Sequence, residues 1–328
     1  MLSRFLILAL LTCFVQAVEV RDSRAKMGSP FEITVLAESE AEARHLIEAA
    51  FAEIDRLEAM ISSWQPQSQT SAINRAAGGD GVVVSQELFN LIRRSLKISQ
   101  LTDGAFDITF AGVGNLWDLS SGRLPNPMKV KQALALVDYH AVELNPKTRE
   151  VRLSRPGVRI GFGAIGKGYA ANRAIVKIRE LGGKSALVNA GGDMVATGVR
   201  ENGRPWSILI ADPRAPDRVF AELALTEQAV VTSGDYERFM IVDGKRYSHI
   251  INPKTGYPVD SLQSATVICP DGELADGLAT SIFVMGPVAG MDLINRLPRV
   301  ECILVDAQGR IHYSHNIQSQ LIVKENSP

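Results

Sequence analysis

Asp276 and Thr280 stand four residues apart in Ala275-Asp276-Gly277-Leu278-Ala279-Thr280. On a helix that spacing puts both side chains on one face. A carboxylate and a hydroxyl presented together are hard oxygen donors, a set that suits a small divalent cation such as Mg²⁺. The bland alternative is that Asp276 caps the helix and Thr280 bonds back to its own backbone. Upstream, Thr232-Ser233-Gly234-Asp235-Tyr236-Glu237-Arg238-Phe239 leads to Asp243-Gly244-Lys245-Arg246-Tyr247-Ser248-His249-Ile250-Ile251-Asn252-Pro253-Lys254-Thr255-Gly256. These two pieces read as a hairpin with polar residues at its ends, turned at Asp243-Gly244. His249 lies on its second strand, two residues after Tyr247, and is the candidate for proton transfer. A lone histidine is more often a structural hydrogen bonder. The turn from Asn252 to Gly256, with Lys254 at its tip, brings the functional reading level with the structural one.

Gly161-Phe162-Gly163-Ala164-Ile165-Gly166-Lys167-Gly168-Tyr169-Ala170 is a glycine-rich turn feeding a helix. Such a turn exposes backbone N–H and carbonyl groups, and a helix start attracts phosphate. Lys167 adds a cation there. The spacing is neither the dinucleotide fingerprint nor a P-loop, so a ligand site and a plain turn remain open. Trp64, Phe106 and Trp117 are aromatics beside polar loops. Core packing is the default for each, and stacking on a base or an isoalloxazine is the alternative. Asn74 and Asp107 are open in the same way.

The elements that must position these residues follow from periodicity. Phe31 to Ala37 reads as a strand. Ser39 to Ile61 reads as an amphipathic helix capped by Ser39, with Leu46, Ile47, Ala50, Phe51, Ile54, Leu57 and Ile61 on one face. Ser62 to Gly81 is polar and loop-like. Helices are predicted over Gln86–Gln100, Asn126–Leu136, Gly166–Leu181, Leu274–Met285 and Val288–Leu297. Strands are predicted over Val142–Leu144, Val151–Leu153, Val158–Ile160, Ala186–Asn189, Trp206–Ala211, Val219–Leu225, Ala229–Thr232, Arg238–Val242, Arg246–Ile251, Ala265–Ile268, Glu301–Val305 and Ile311–Ser314. Strands in runs with frequent hairpins argue for an α+β fold with a largely antiparallel sheet, not a doubly wound parallel one.

The chain has 328 residues and 46% apolar residues, enough for a sizeable core. Its 35 basic residues are balanced by 36 acidic ones without a basic block, which gives nucleic-acid binding no support. At the N-terminus, Arg4 precedes an apolar run from Phe5 to Val15, and Val15-Gln16-Ala17 supplies a small-residue cleavage pattern. Residues 1–17 therefore read as a cleavable signal peptide, too short for an ordinary spanning helix. Residues 18–328 read as one compact domain. An uncleaved anchor and a lipoprotein at Cys13 are the alternatives, the second weakened by Thr12. Membrane association beyond that is at most peripheral. Export permits a Cys269–Cys302 disulfide, but both lie in strand-like apolar runs where buried free thiols are common.

Taken in order, the segments of this chain resemble the ApbE family, the FAD:protein FMN transferases. The resemblance rests on Met27-Gly28-Ser29-Pro30-Phe31, Ser63-Trp64, Ser71-Ala72-Ile73-Asn74 and Gly104-Ala105-Phe106-Asp107-Ile108-Thr109. It continues through Gly163 to Ala170, Asn189-Ala190-Gly191-Gly192-Asp193, Thr232 to Tyr236, Ser248 to Gly256 and Ala275 to Thr280. It implies a T-fold-like α+β domain with FAD held between two lobes and Mg²⁺ at the pyrophosphate. Carried over by motif, the metal ligands are the Ala164 carbonyl, Asp276 and Thr280. Met27, Trp64, Ala105, Phe106, Asp107, Lys167, His249 and Ile250 line the FAD site. His249 is the first candidate catalyst and Asp107 the second. The implied reaction moves FMN from FAD to a Thr or Ser hydroxyl of a partner, a subunit of a membrane redox complex in the periplasm, and releases AMP. Water in place of the hydroxyl makes the same site a FAD pyrophosphatase. The family pattern has an acid two positions before Gly163, where this chain has Gly161. That departure favours a further alternative, an exported FAD-binding accessory protein without transfer.

Overall fold

The computed structural model describes residues 17–317 and 321–322. The signal segment lies outside the described residues except for Ala17. The chain opens with β1 (Val18–Lys26) and β2 (Ser29–Ala37), then α1 (Glu40–Ile61), α2 (Gln69–Arg75), β3 (Val82–Val83) and α3 (Gln86–Leu101). A 3₁₀ turn (Ile108–Phe110) runs into α4 (Ala111–Gly114), followed by α5 (Pro127–Leu134), β4 (Val142–Asn145) and β5 (Glu150–Leu153). Next come α6 (Gly166–Glu180), β6 (Ser185–Ala190), β7 (Asp193–Thr197), β8 (Trp206–Asp212), β9 (Ala215–Leu225) and β10 (Gln228–Gly234). The last part holds β11 (Phe239–Val242), β12 (Lys245–Ser248), β13 (Leu262–Cys269), α7 (Gly272–Met285), α8 (Pro287–Ile294), β14 (Glu301–Asp306), β15 (Ile311–Tyr313) and β16 (Leu321–Ile322).

The frame is an 8-stranded sheet in the order β1-β2-β6-β7-β10-β13-β14-β15, with every neighbouring pair antiparallel. The α+β expectation holds. Alternation along the strands sends side chains to two faces. Val35, Val195, Val231, Val267 and Leu304 face α1, α6 and α7 in the main core. Leu36, Ala196, Val230, Ile268 and Ile303 face the other way, against Trp206, Ile208, Leu223 and Leu225 of β8 and β9. β13 is buried along its whole length because both of its faces are covered. A smaller cluster of Val113, Trp117, Met240 and Ile251 joins α4 to the β11–β12 hairpin, whose turn at Asp243-Gly244 has both residues at positive φ.

Five expectations need correction. Asp193–Thr197, assigned no strand from sequence, is β7 between β6 and β10. The strand expected over Arg246–Ile251 ends at Ser248, so His249 lies just beyond it. Val18–Lys26, assigned no strand from sequence, is the edge strand of the large sheet and pairs with β2 from Val18↔Ala37 to Lys26↔Ser29. The polar stretch after α1 is not all loop, since Ser68 caps the short helix α2 through the Ser71 N–H at 2.9 Å. Val158–Ile160 is not a strand. There the Asn74 side chain stands in for a strand neighbour, accepting the Ile160 N–H at 2.8 Å and donating to the Ile160 carbonyl at 2.9 Å. Cys269 and Cys302 are buried free thiols on β13 and β14. Cys302 pairs with Val267 rather than Cys269, so the two sulfurs occupy diagonal positions. Burial pushes their pKa values up to about 11 and about 12.

Candidate active site at the start of helix α6

The glycine-rich turn delivers α6 without a cap of its own, because Ile165 at the N-cap position has no side-chain acceptor. The acceptor comes from α7. Asp276, 4% exposed, takes the Gly168 N–H on Oδ2 at 3.0 Å. Glycine makes this possible. A Cβ on Gly168 would lie 2.1 Å from the Gly272 carbonyl oxygen and 2.7 Å from the Asp276 Cβ, so the two helices cross backbone to backbone. Burial raises the Asp276 pKa.

Asp193, the first residue of β7, reaches the same place from the turn through Gly191 and Gly192, both at positive φ. It is 1% exposed, and the Lys167 ammonium sits 2.8 Å from its Oδ2. At that distance the ammonium is the partner of this buried oxygen. Burial and the Asp276 charge drive the Asp193 pKa well up. Burial alone would lower the Lys167 pKa, but Asp193 and Asp276 outweigh it and keep Lys167 protonated.

Thr280 lies one turn along α7 from Asp276, with its Oγ1 3.4 Å from Ser233 Oγ at the end of β10. Ala164 is in the turn that starts α6, half-buried. Met27, at φ 50° in the β1–β2 turn, brings its methyl to the Gly166 position, 3.5 Å from where a Cβ would stand. Among the described residues no three His, Cys, Asp or Glu side chains cluster as a metal site. A cation here would rest on a mixed oxygen set of one carboxylate, one hydroxyl and a carbonyl. The charges favour it. Asp193 and Asp276 are two carboxylates against the one Lys167 ammonium, and the donors are hard oxygens, so the residues fit Mg²⁺.

His249 follows β12, and its backbone N–H donates to the Arg238 carbonyl at 2.9 Å. Its ring Nδ1 lies 3.2 Å from the same oxygen. A carbonyl only accepts, so Nδ1 carries the proton and Nε2 is left as an acceptor. Burial pushes the His249 pKa down to about 4, which keeps the ring neutral at physiological pH. Glu237, one residue before Arg238, is accessible at the rim yet closely surrounded. Burial pushes its pKa up to about 7, Lys167 opposes that shift and Asp276 adds to it. Lys167 also disfavours protonation of His249, so the helix start and the hairpin base act on one volume.

The ApbE family profile matches residues 27–304. This chain belongs to the ApbE family. A FAD:protein FMN transferase of Klebsiella pneumoniae is 33% identical over 287 residues, covering 86% of this chain and 88% of that one. The Treponema pallidum protein of the same name is 31% identical over 302 residues, covering 86% and 83%. Two solved structures share the fold. The ApbE protein of Thermotoga maritima has a TM-score of 0.85 at 32% identity and covers 93% of this chain and 99% of its own. The apo flavinyl transferase ApbE of Pseudomonas stutzeri has a TM-score of 0.82 at 26% identity, with 93% and 97% covered.

In this ApbE-family chain the other residues named for the FAD site fall into different settings. Trp64 is 76% exposed, an aromatic face open to a planar ligand. Phe106 is 2% exposed and Ile250 5%, both in the main core, and Ala105, next to Phe106 in sequence, is buried too. Asp107 caps the 3₁₀ turn through Oδ1, which accepts the Thr109 N–H at 2.7 Å and its hydroxyl at 2.6 Å, while Oδ2 accepts the Tyr139 N–H at 3.0 Å. Both of its oxygens are therefore committed to backbone and hydroxyl donors. Burial still raises its pKa against those bonds. It borders an open pocket of about 400 Å³ lined by Gly104, Tyr139, His140 and Lys254. At Gly161 a Cβ would stand 3.1 Å from the Ala111 Cβ, so a side chain there needs a small shift of α4.

Asp193, Ser233, Glu237 and Arg238 join the site only in the folded chain. Asp193 had a local signal, the Ala-Gly-Gly-Asp turn after a buried strand. Glu237 and the Arg238 carbonyl had none, because only the fold brings Glu237 within reach of Lys167 and Asp276 and the Arg238 carbonyl to His249.

Proposed function

We propose that this chain transfers FMN from FAD to a Thr or Ser hydroxyl of a partner protein and releases AMP. The observation that carries the reading is the Asp276 carboxylate held at the start of α6, with Thr280 one turn along the same helix and Lys167 beside it, in a chain whose relatives bear the transferase name. The hydroxyl oxygen forms a bond to the FMN phosphorus as the bond from that phosphorus to the AMP oxygen breaks, with entering and leaving oxygens in line. His249 Nε2 takes the hydroxyl proton, while the Arg238 carbonyl holds the ring in that tautomer. Lys167 stays cationic beside the pyrophosphate. Asp276, Thr280 and the Ala164 carbonyl would hold Mg²⁺, which when bound supplies neutralisation of the pyrophosphate charge. Trp64 offers a stacking face for a flavin or adenine ring. The N-terminal apolar segment supports export to the periplasm, where subunits of membrane redox complexes would be the acceptors. Among the described residues no helix is long and apolar enough to cross a membrane.

The test uses the chain from Val18 onward with FAD, Mg²⁺ and an acceptor peptide carrying a Thr. Intact mass reads the acceptor, and chromatography reads AMP. An acceptor heavier by one FMN less water, with AMP released, is the expected result. FMN and AMP with an unmodified acceptor would make the chain a pyrophosphatase, and bound FAD without turnover would make it a binding protein.

A further inference from the structure

Between β10 and β11 the chain leaves one ladder and enters another through residues 235–238, and that short turn carries the Arg238 carbonyl that fixes His249. At its start the Asp235 N–H donates to the Gln263 carbonyl at 3.0 Å, closing the β10–β13 ladder. Asp235, a residue 8% exposed, has its side chain gripped from a third element. Arg214, in the β8–β9 turn, makes two parallel bonds to it, Nη1 to Oδ1 at 2.7 Å and Nη2 to Oδ2 at 2.6 Å. That fork is the strong form of an arginine–carboxylate pair. The turn that presents Arg214 is itself set, because the Arg214 N–H donates to Asp212 Oδ1 at 2.8 Å. A second arginine, Arg246 on β12, stands 3.8 Å from Asp235 Oδ1 and lies over the Phe239 ring at 4.1 Å. Asp235 thus joins the β8–β9 turn to both strands of the hairpin that ends at His249.

We infer that Arg214 is a positioning residue for His249, acting through Asp235 and the Arg238 carbonyl. This rests on the reading of His249 as the proton acceptor. The chain of contacts is physical at each step. Arg214 fixes the nearly buried Asp235 carboxylate, and Asp235 fixes where the 235–238 turn begins. The position of that turn then decides whether the Arg238 oxygen faces Nδ1. Without Arg214 the carboxylate loses its fork and is left to Arg246 or to solvent, and Arg246 is drawn off Phe239. The Arg238 oxygen then no longer selects one tautomer, and the proton divides between Nδ1 and Nε2. A ring with Nε2 protonated cannot accept the hydroxyl proton. The Lys167 and Arg238 charges also act on this ring, and both disfavour its protonation.

The test is ¹⁵N NMR of histidine-labelled protein at neutral pH, with the His249 signals assigned by their loss in His249→Gln. In the unaltered chain Nδ1 should read as protonated and Nε2 as bare. In Arg214→Ala the two shifts should move toward each other, and kcat for FMN transfer should fall by about tenfold or more with KM for FAD within about twofold. Arg214→Lys, which keeps the charge but loses the fork, should fall between the two. A single Nδ1–H tautomer in Arg214→Ala overturns the inference, and so does a KM for FAD that rises as much as kcat falls. Averaged tautomers with unchanged kcat would uphold Arg214 as the device that sets the ring, and would overturn His249 as the base instead.

Discussion

Replacing Asp276 by asparagine keeps the shape of the side chain and removes its charge. In the fold Asp276 is 4% exposed and accepts the Gly168 N–H at 3.0 Å. Losing the anion turns a charge-assisted bond into a neutral one and takes a favourable charge from the start of α6, together about 1–3 kcal/mol. The opposing effect is charge crowding. Burial raises the pKa of Asp276, Asp193 and Glu237, and the Asp276 charge adds to the shifts of the other two. A carboxyl whose folded pKa lies above its unfolded value costs stability once ionised, and neutralising it removes that cost. The two effects oppose, so cation-free Asp276→Asn should differ from the parent by no more than about 1 kcal/mol, or about 2 °C in Tm. The cation separates the two proteins. At about 100 times its Kd, Mg²⁺ adds about 2.7 kcal/mol to a protein that binds it, about 5 °C here. The parent should show that rise in a thermal melt, the variant should not, and its transfer rate should fall by at least about 100-fold. A full Mg²⁺ shift or normal turnover in the variant would refute Asp276 as a ligand. A cation-free loss beyond about 4 kcal/mol would show that Asp276 acts chiefly as the cap of α6.

His249→Gln keeps a polar side chain but removes the proton acceptor, so transfer should drop by about 10²–10⁴-fold while FAD fluorescence titration shows unchanged binding. An equal loss of FAD affinity would make His249 a binding residue. The pH dependence of stability has two opposed parts. His249, at about 4 in the fold against 6.5 unfolded, contributes stability that is present above pH 6.5 and lost as pH falls toward 4. Glu237, at about 7 against 4.5, adds a cost that appears as pH rises from 4.5 through 7. Thermal melts from pH 4 to 8 should therefore flatten on the acid side in His249→Gln and toward neutrality in Glu237→Gln; profiles matching the parent would contradict both shifts. Asn74→Ala strands the N–H and carbonyl of Ile160, and denaturant melts should report a loss of about 2–4 kcal/mol, with a change under about 1 kcal/mol refuting the bridge.

The parts of the fold legible in the sequence are those where local pattern and final burial agree. The i, i+3, i+4 apolar face of α1 and its Ser39 cap are both present, with Leu46, Ile47, Phe51, Ile54 and Leu57 buried. The Asp-Gly turn between β11 and β12 carries its own conformational requirement. β1 was not legible, because Val-Glu-Val-Arg-Asp-Ser-Arg-Ala-Lys places charges along an edge strand and takes its register from β2. Val158–Ile160 has strand composition, but Asn74, 86 residues away, takes its backbone bonds. The site divides in the same way. Asp276 and Thr280 showed in their spacing, and Lys167 in its glycine-rich turn. The Asp276 bond to Gly168 spans 108 positions, and nothing local announces it.

The same contacts set a condition on FAD binding. The groups that ordinarily welcome a phosphate at a helix start are already engaged here: the Gly168 N–H is given to Asp276, and the Lys167 ammonium to Asp193. The side chains around the start of α6 therefore carry more negative than positive charge before any ligand arrives. A pyrophosphate would add two further negative charges to a site whose one ammonium is already paired with a buried carboxylate. Like charges about 4 Å apart at a partly solvated site repel by up to about 4 kcal/mol, more than one stacked ring on Trp64 would offset. FAD affinity should accordingly depend on the cation. Chelation should weaken FAD binding at least about tenfold, read by recovery of flavin fluorescence, and Asp193→Asn should recover part of that loss without Mg²⁺. Equal FAD affinity with and without a chelator would mean that the phosphates lie away from α6, and the placement of FAD at Lys167 and Asp276 would then be wrong.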